Sequence, residues 1–274
     1  MLLIESLVLQ CFAIALGACI GSFLNVVIYR VPAGLSILHP PSRCPHCLRQ
    51  LAPRDNIPII GWFLISGKCR YCHTPVSWRY PAIEAFTAFL FWSVAAYFGT
   101  SIPILTLCFY AAFLSWLLVL AMIDIDTMTL PNSLTQSGLV LGFVYQASLA
   151  ISSGDRTNLA GHLLNGVFGA VVGICLLDFI RIVGTVCLQK EAMGAGDPKL
   201  MAMIGVWLGW QKILLVMLFS SGIGSFVGLA AIFIGKLGWS IPIPMGVFLA
   251  IGAALTLFFG DVIIANYLGW FGII

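Results

Sequence analysis

Residues 103–123 read PILTLCFYAAFLSWLLVLAMI and contain no charged side chain. The hydrocarbon core of a bilayer is about 30 Å thick and takes about 20 apolar residues for each helical crossing. The run is therefore long enough for one transmembrane helix. Membrane-spanning strands alternate apolar and polar residues over short segments, and this run shows no such alternation. The stretch predicts a helical crossing, and with it an α-helical membrane protein.

The whole chain repeats this pattern. Of its 274 residues, 61% are hydrophobic and 8% are charged, whereas a soluble domain has about 25% charged residues. The other apolar runs cover residues 4–29, 81–98, 136–152, 160–182, 200–235 and 243–267. The run 200–235 is too long for one crossing and predicts a short helix to about 209 and a full helix from 213. We expect an all-α integral membrane protein with about eight transmembrane helical segments.

Between the first two runs lies a polar segment that determines the topology. It holds seven of the thirteen Lys and Arg residues, namely Arg30, Arg43, Arg49, Arg54, Lys68, Arg70 and Arg79. By the positive-inside rule this loop is cytoplasmic. Alternate crossings then place residues 124–135 and 183–199 on the same cytoplasmic side. We expect a first transmembrane helix at 1–30, retained rather than cleaved, a cytoplasmic loop at 31–80 and a helical membrane domain at 81–274.

The same loop contains two pairs of cysteines, each with two residues between them. Cys44 and Cys47 form the first pair, Cys69 and Cys72 form the second, and 21 residues separate the pairs. This spacing is typical of a two-knuckle zinc site, and four thiolates suit a closed, structural tetrahedral zinc. His46 and His73 are less favoured as ligands. The five other cysteines, which we expect to be small buried hydrophobes, are Cys11, Cys19, Cys108, Cys175 and Cys187.

Acidic residues at the ends of apolar runs are candidates for catalysis, because ionisable groups there are costly and usually functional. Asp124 ends the run 103–123, two residues before Asp126, and Asp197 follows Gly194-Ala195-Gly196. Two carboxyl groups held close together share a proton, because both cannot ionise cheaply. One can then activate water while the other polarises a carbonyl group. Sequence alone does not place the pair together.

The sequence leaves open which of Asp124 and Asp126 is catalytic and whether Asp197 also caps a helix. Asp124 and Asp126 point about 200° apart on a helix, so only one of them can face Asp197. The other is then a solvated or loop-anchoring carboxylate. Asp197 also suits a helix N-cap with Pro198 at the first helical position. Capping favours the ionised form, so we expect Asp197 to be the water-activating member.

These motifs together resemble the bacterial type IV prepilin peptidases, which are bifunctional leader peptidases and N-methyltransferases of pilus and type II secretion systems. The Gly-x-Gly-Asp motif is also similar to that of intramembrane aspartic proteases in general, and the zinc loop points to the bacterial prepilin subgroup. The matching segments span nearly the whole chain: residues 21–32, the two cysteine pairs, Pro81-Ala82-Ile83-Glu84, residues 124–132 and residues 194–199.

The resemblance implies aspartic endopeptidase activity at the cytoplasmic face of the inner membrane. The enzyme would cleave the basic leader of prepilins and pseudopilins after a glycine, and then methylate the new N-terminus from S-adenosylmethionine. Carried onto this chain, the catalytic residues are Asp124 and Asp197. Asp124 is preferred because the family's first aspartate lies six residues before the Leu of a Leu-Pro pair, here Leu130-Pro131. No cofactor-binding loop is evident, and Glu84 is a candidate for methyl transfer, for positioning the leader or for helix capping.

Two other classes of function compete with this one. A transporter with a cytoplasmic zinc module would need acidic residues near the bilayer midplane, where Asp178 and Asp261 are the candidates. A non-enzymatic scaffold would leave the Gly-x-Gly-Asp motif unexplained. We expect Asp178 to pair with Arg181, three residues further along its helix. Because anionic lipid explains the basic loop, we expect a lipid bilayer and no nucleic acid as partner.

Overall fold

The computed structural model describes residues 2–152, 158–189, 193–235 and 243–270, and within these ranges it contains helices and no strand. Parts of two predicted loops, at 153–157 and 190–192, lie outside the described residues. The helices are α1 (Leu2–Arg30), α2 (Ile60–Leu64), α3 (Arg79–Phe98), α4 (Ile104–Thr127), α5 (Asn132–Ser152), α6 (Leu159–Leu188), α7 (Asp197–Leu208), α8 (Trp210–Phe233) and α9 (Met245–Trp270). Short 3-10 turns occur at Pro53–Asn56 and Gly99–Ser101. The predicted all-α class is confirmed.

Seven of these described helices, all except α2 and α7, are long and apolar enough to cross a membrane. The eighth predicted segment is α7, whose 12 residues extend only about 18 Å. It ends at Gly209, which has a φ of 79°, a conformation that glycine adopts without strain. The predicted division of the run 200–235 into a short helix and a long one is therefore confirmed.

The chain consists of two compact units, residues 1–115 and 116–274. In the first unit, α1 packs against α3 along a pair of glycines. A Cβ at Gly17 would lie 2.7 Å from the Cα of Ala88, and one at Gly21 would lie 2.7 Å from the Cα of Glu84. Small residues allow the two backbones to approach this closely.

In the second unit, α7 contacts α5, α6, α8 and α9. All its residues except Lys199 and Leu208 are buried. Gly169 of α6 and Gly205 of α7 bring their backbones together, leaving no room for a side chain at either position. Near the end of α7, the buried Gln146 donates a hydrogen bond of 2.7 Å to the carbonyl oxygen of Val206. A carbonyl that a short helix leaves unpaired is thus satisfied inside the protein.

One sequence-based expectation about burial is wrong. The five cysteines outside the loop are exposed rather than buried. The expected pairing of Asp178 with Arg181 is confirmed at 3.0 Å.

Candidate active site

The two cysteine pairs form a matched pair of knuckles in the first unit. The N–H groups of Leu48 and His73, each directly after the second cysteine of its pair, donate to the carbonyls of Cys44 and Cys69 at 2.9 Å. Leu48 and His73 both have positive φ, 58° and 57°. Each knuckle thus turns back on itself in the same way and presents its two sulfur atoms on one side.

The knuckles bring the four predicted ligands together. The Sγ atoms of Cys44 and Cys72 are 3.7 Å apart, and those of Cys47 and Cys69 are 4.0 Å apart. All four lie within 4.8 Å of one another, and no histidine joins this cluster among the described residues. The Thr74 hydroxyl lies 3.3 Å from the Sγ of Cys72 and lowers the pKa of that thiol to about 6. Four sulfurs at these distances fit tetrahedral zinc.

An ion pair fixes the segment between the two knuckles, and the sequence gives no indication of it. The carboxylate of Asp55 accepts two hydrogen bonds from Arg70, at 2.9 and 2.5 Å. The Asp55 side chain is only 2% exposed, and the guanidinium of Arg70 holds the pKa of Asp55 below its ordinary value. Because Arg70 lies between Cys69 and Cys72, the pair ties the 3-10 turn at Pro53–Asn56 to the second knuckle.

Glu84 acts as an anchor in the first unit. Its carboxylate accepts a 2.6 Å hydrogen bond from the N–H of Ile59, the residue that caps α2. Glu84 is buried on α3, and Ser22 of α1 also hydrogen-bonds to it. Of the three roles considered for Glu84, these contacts favour helix capping.

Asp124 lies in the last turn of α4 and is 5% exposed. The helix ends three residues later at Thr127. The next residue, Met128, takes a φ of 52°, and its N–H donates to the carbonyl of Asp124 at 2.9 Å. Ile125 and Asp126 lie on the exposed side of the same turn. The two candidate carboxylates are thus separated as helix geometry predicts: one faces inward and one faces outward.

Asp197 is the first residue of α7 and is 6% exposed. The expectation that its side chain caps this helix is wrong. Gly196 is the N-cap, and no side-chain capping hydrogen bond forms. The expected reason for Asp197 to be the ionised member of the pair is therefore absent.

Contacts between the two motif segments bring the buried aspartates together. A Cβ at Gly196 would lie 2.9 Å from the Cβ of Leu130, so this glycine permits the turn after α4 to pack against the start of α7. Nearby, Lys199 donates a 2.8 Å hydrogen bond to the Oδ1 of Asn132. The carboxyl groups of Asp124 and Asp197 are close enough to repel one another electrostatically.

The first turn of α9 completes this site and was missed in the sequence. A Cβ at Gly246 would lie 2.8 Å from the Oδ2 of Asp124. The backbone N–H groups of Gly246 and Val247 lie close enough to the Asp124 carboxylate to interact with its charge. The available signal was Pro244 followed within two residues by a glycine at the start of an apolar run, which is typical of a helix N-terminus.

The arrangement suits general acid–base chemistry. Two buried carboxyl groups that repel one another hold one proton between them more readily than none. A singly protonated pair has both a base for water and an acid for a carbonyl oxygen. Asp126, being exposed, lacks the desolvated setting that this chemistry uses.

Comparison with known proteins identifies the family of the chain. The model of the bacterial peptidase A24 N-terminal domain matches residues 15–98, and that of the type IV leader peptidase family matches residues 111–229. The prepilin leader peptidase/N-methyltransferase of Stutzerimonas stutzeri is 36% identical over 93% of this chain and 92% of its own length. The proteins of the same name from Aeromonas hydrophila and Pseudomonas aeruginosa are 36% and 33% identical over 91% and 94% of this chain, and over 90% and 93% of their own lengths. No solved structure matches the chain. With two successive family domains and relatives that align along nearly its full length, this chain belongs to the type IV leader peptidase family.

Proposed function

We propose that this chain removes the leader peptide of prepilins and pseudopilins and N-methylates the new N-terminal residue. The observation that carries the proposal is the buried pair Asp124 and Asp197 within the segment that the leader peptidase model matches. The relatives described above are named for both activities. A transporter is not favoured, because both aspartates lie at helix ends.

Hydrolysis by the pair proceeds in two steps. One carboxylate takes a proton from water as the water oxygen attacks the carbonyl carbon of the leader's last glycine, and the other carboxyl gives its proton to the oxygen of that carbonyl. In the second step the carbon–nitrogen bond breaks. The amine nitrogen then takes the proton held by the first carboxyl, and one hydroxyl proton of the intermediate returns to the second. The two steps together consume one water molecule and form one carboxylic acid and one amine.

The setting is a bilayer. The part of the chain that the structure describes has seven helices of spanning length, and together with the relatives they indicate a multi-pass inner-membrane protein. We place the zinc loop and both aspartates on the cytoplasmic face, because the basic residues of the loop favour that side. A prepilin, whose N-terminus is an apolar helix preceded by a basic leader, would then enter laterally through lipid and meet water at the membrane edge.

Two cofactors belong to the proposal. Zinc held by Cys44, Cys47, Cys69 and Cys72 would be structural, because four thiolates leave no open coordination position. S-adenosylmethionine would supply the methyl group, as the name of the relatives implies. We also keep the division into a first helix (1–30), a zinc loop (31–80) and a membrane domain (81–274) as part of the proposal.

The direct test incubates the purified chain with a prepilin, with and without S-adenosylmethionine, and follows both reactions by mass spectrometry. We expect loss of the leader after a glycine in both samples, and an added methyl group only with the donor. An intact prepilin in both samples would contradict the proposed peptidase, and cleavage without methylation would remove the second activity alone.

Glu84 needs a separate test, because capping and methyl transfer predict different outcomes. Glu84→Gln keeps an oxygen that can accept the hydrogen bond from Ile59, so a capping role predicts that both reactions continue. Loss of methylation with normal cleavage would assign Glu84 to methyl transfer instead.

A further inference from the structure

The first turn of α9 stands out because a buried carboxyl group, that of Asp124, faces it. Helix N-termini expose N–H groups that lack partners within the helix, and in α9 these include Gly246 and Val247. Gly246 is buried, and a Cβ there would lie 2.8 Å from the Oδ2 of Asp124 and 3.2 Å from its Cγ. The absence of a side chain at Gly246 therefore lets the Asp124 carboxylate come to the helix end.

Asp124 itself gives an independent indication. Its side chain is more than nine-tenths buried, and its Oδ2 has no hydrogen-bond partner among the described residues. An unpaired buried carboxylate oxygen is costly unless neighbouring dipoles stabilise its charge. The N–H groups of Gly246 and Val247 supply such dipoles, while Oδ2 keeps a free lone pair that can accept a proton.

Resting on the proposed function, we propose that the first turn of α9 positions Asp124 and holds it as the ionised, water-activating member of the pair, with Asp197 carrying the proton. Gly246 is the positioning residue, since it makes room for the carboxylate. This reverses the roles that the sequence suggested, because Asp197 does not cap α7 through its side chain.

The other groups around the pair are consistent with these roles. Asp197 starts α7, whose dipole also favours a charge there, but among the described residues a single backbone N–H, that of Gly194, hydrogen-bonds to its side chain. Asp126 is exposed on the far side of α4. Lys199, the nearby cation on α7, donates to Asn132 rather than to either catalytic carboxylate.

The test substitutes Gly246→Ala and measures prepilin cleavage across pH. The added methyl group would push Asp124 away from the helix end, so we expect kcat to fall about ten- to a hundredfold, with KM for the prepilin within about threefold of wild type. With less stabilisation of its charge, Asp124 would lose its proton at higher pH. The lower limb of the kcat/KM profile should therefore move up by about half a pH unit.

Gly222→Ala is the matched control, because its added methyl group meets nothing within 4 Å. It should behave like wild type. A second variant, Val247→Pro, removes one of the two N–H groups at a position where the first turn tolerates proline, and it should shift the same limb in the same direction.

The possible failures are distinguishable. If wild type does not cleave prepilin, the proposed function fails. If wild type cleaves but Gly246→Ala matches Gly222→Ala, or loses activity equally at every pH, the role of α9 is contradicted while the peptidase stands. Thermal unfolding of each variant confirms that the protein compared is folded.

Discussion

At the scale of single residues, burial decides between two nearly adjacent carboxylates. Asp124 is buried and Asp126 is exposed, although both lie in the last turn of α4. A desolvated carboxyl is the kind that enzymes use as acid or base near neutral pH. We therefore propose Asp124 as the catalytic partner of Asp197.

Lys199 should influence catalysis without touching the reacting atoms. Its hydrogen bond to Asn132 joins the start of α7 to the start of α5, and so helps hold Asp197 near Asp124. A single exposed hydrogen bond contributes about 0.5–1.5 kcal/mol. We therefore expect Lys199→Met to lower kcat/KM for prepilin cleavage by about three- to tenfold.

The control for this prediction is Lys212→Met. Lys212 makes an ion pair of the same 2.8 Å length with Asp261, which joins α8 to α9 rather than the two motif segments. Its loss should leave cleavage within about twofold of wild type. Equal effects of the two substitutions would show that Lys199 has no specific positioning role.

At the scale of elements, the zinc loop depends on more than its four ligands. It has few buried hydrophobic residues, and small modules of this kind need a metal or another cross-link to be stable. The pair Asp55 and Arg70 adds a bidentate contact that ties the residues between the knuckles to the second knuckle.

We expect Asp55→Asn to lower the free energy of unfolding of the zinc loop by about 1–3 kcal/mol. The loss should lie in the lower part of this range, because the Arg70 side chain is 36% exposed to solvent. The pKa of Asp55 is depressed in the folded protein, so its contribution is fully present above the unfolded value of about 3.9 and is lost only as pH falls below it. The effect should therefore be constant between pH 6 and 8. The measurement is zinc release during denaturation.

Asp178→Asn provides the matched control for the loop. It removes the same charge from a pair in which both side chains are partly exposed, and such surface pairs contribute about 0–1 kcal/mol. It should leave zinc release unchanged. A loss of zinc from Asp178→Asn as large as that from Asp55→Asn would show that the result does not depend on the buried pair.

At the scale of the whole molecule, the topology can be tested with two cysteine substitutions. Ser101 lies in the short turn between α3 and α4, and Thr129 lies between α4 and α5; both are exposed. The proposed orientation puts Ser101 outside and Thr129 in the cytoplasm. An impermeant maleimide should label Ser101→Cys in intact spheroplasts and label Thr129→Cys only after permeabilisation. The reverse pattern would invert the orientation.

Much of this architecture is predictable from the sequence because a bilayer dictates it. Each crossing needs about 20 apolar residues, so the spanning helices are visible as runs. The break at Gly209 is visible because one run is too long. The zinc ligands are visible because paired cysteines at short spacing have few other uses in a basic loop.

The remainder could not be predicted for equally physical reasons. Lipid is as apolar as a protein core, so hydrophobicity does not show that Cys11 or Cys108 faces outward. The contact of Gly246 with Asp124 joins helices that are distant in the chain. The pairing of Asp55 with Arg70 depends on how an irregular loop folds, and such a loop has no periodicity.

The central claim is that Asp124 and Asp197 together hydrolyse the leader peptide. Its most direct test is prepilin cleavage by three purified variants, Asp124→Ala, Asp126→Ala and Asp197→Ala. We predict that the Asp124 and Asp197 variants lose about 10²- to 10⁴-fold in rate or more, while the Asp126 variant keeps most of its activity. Full cleavage by the Asp124 variant, or loss in the Asp126 variant alone, would contradict the account.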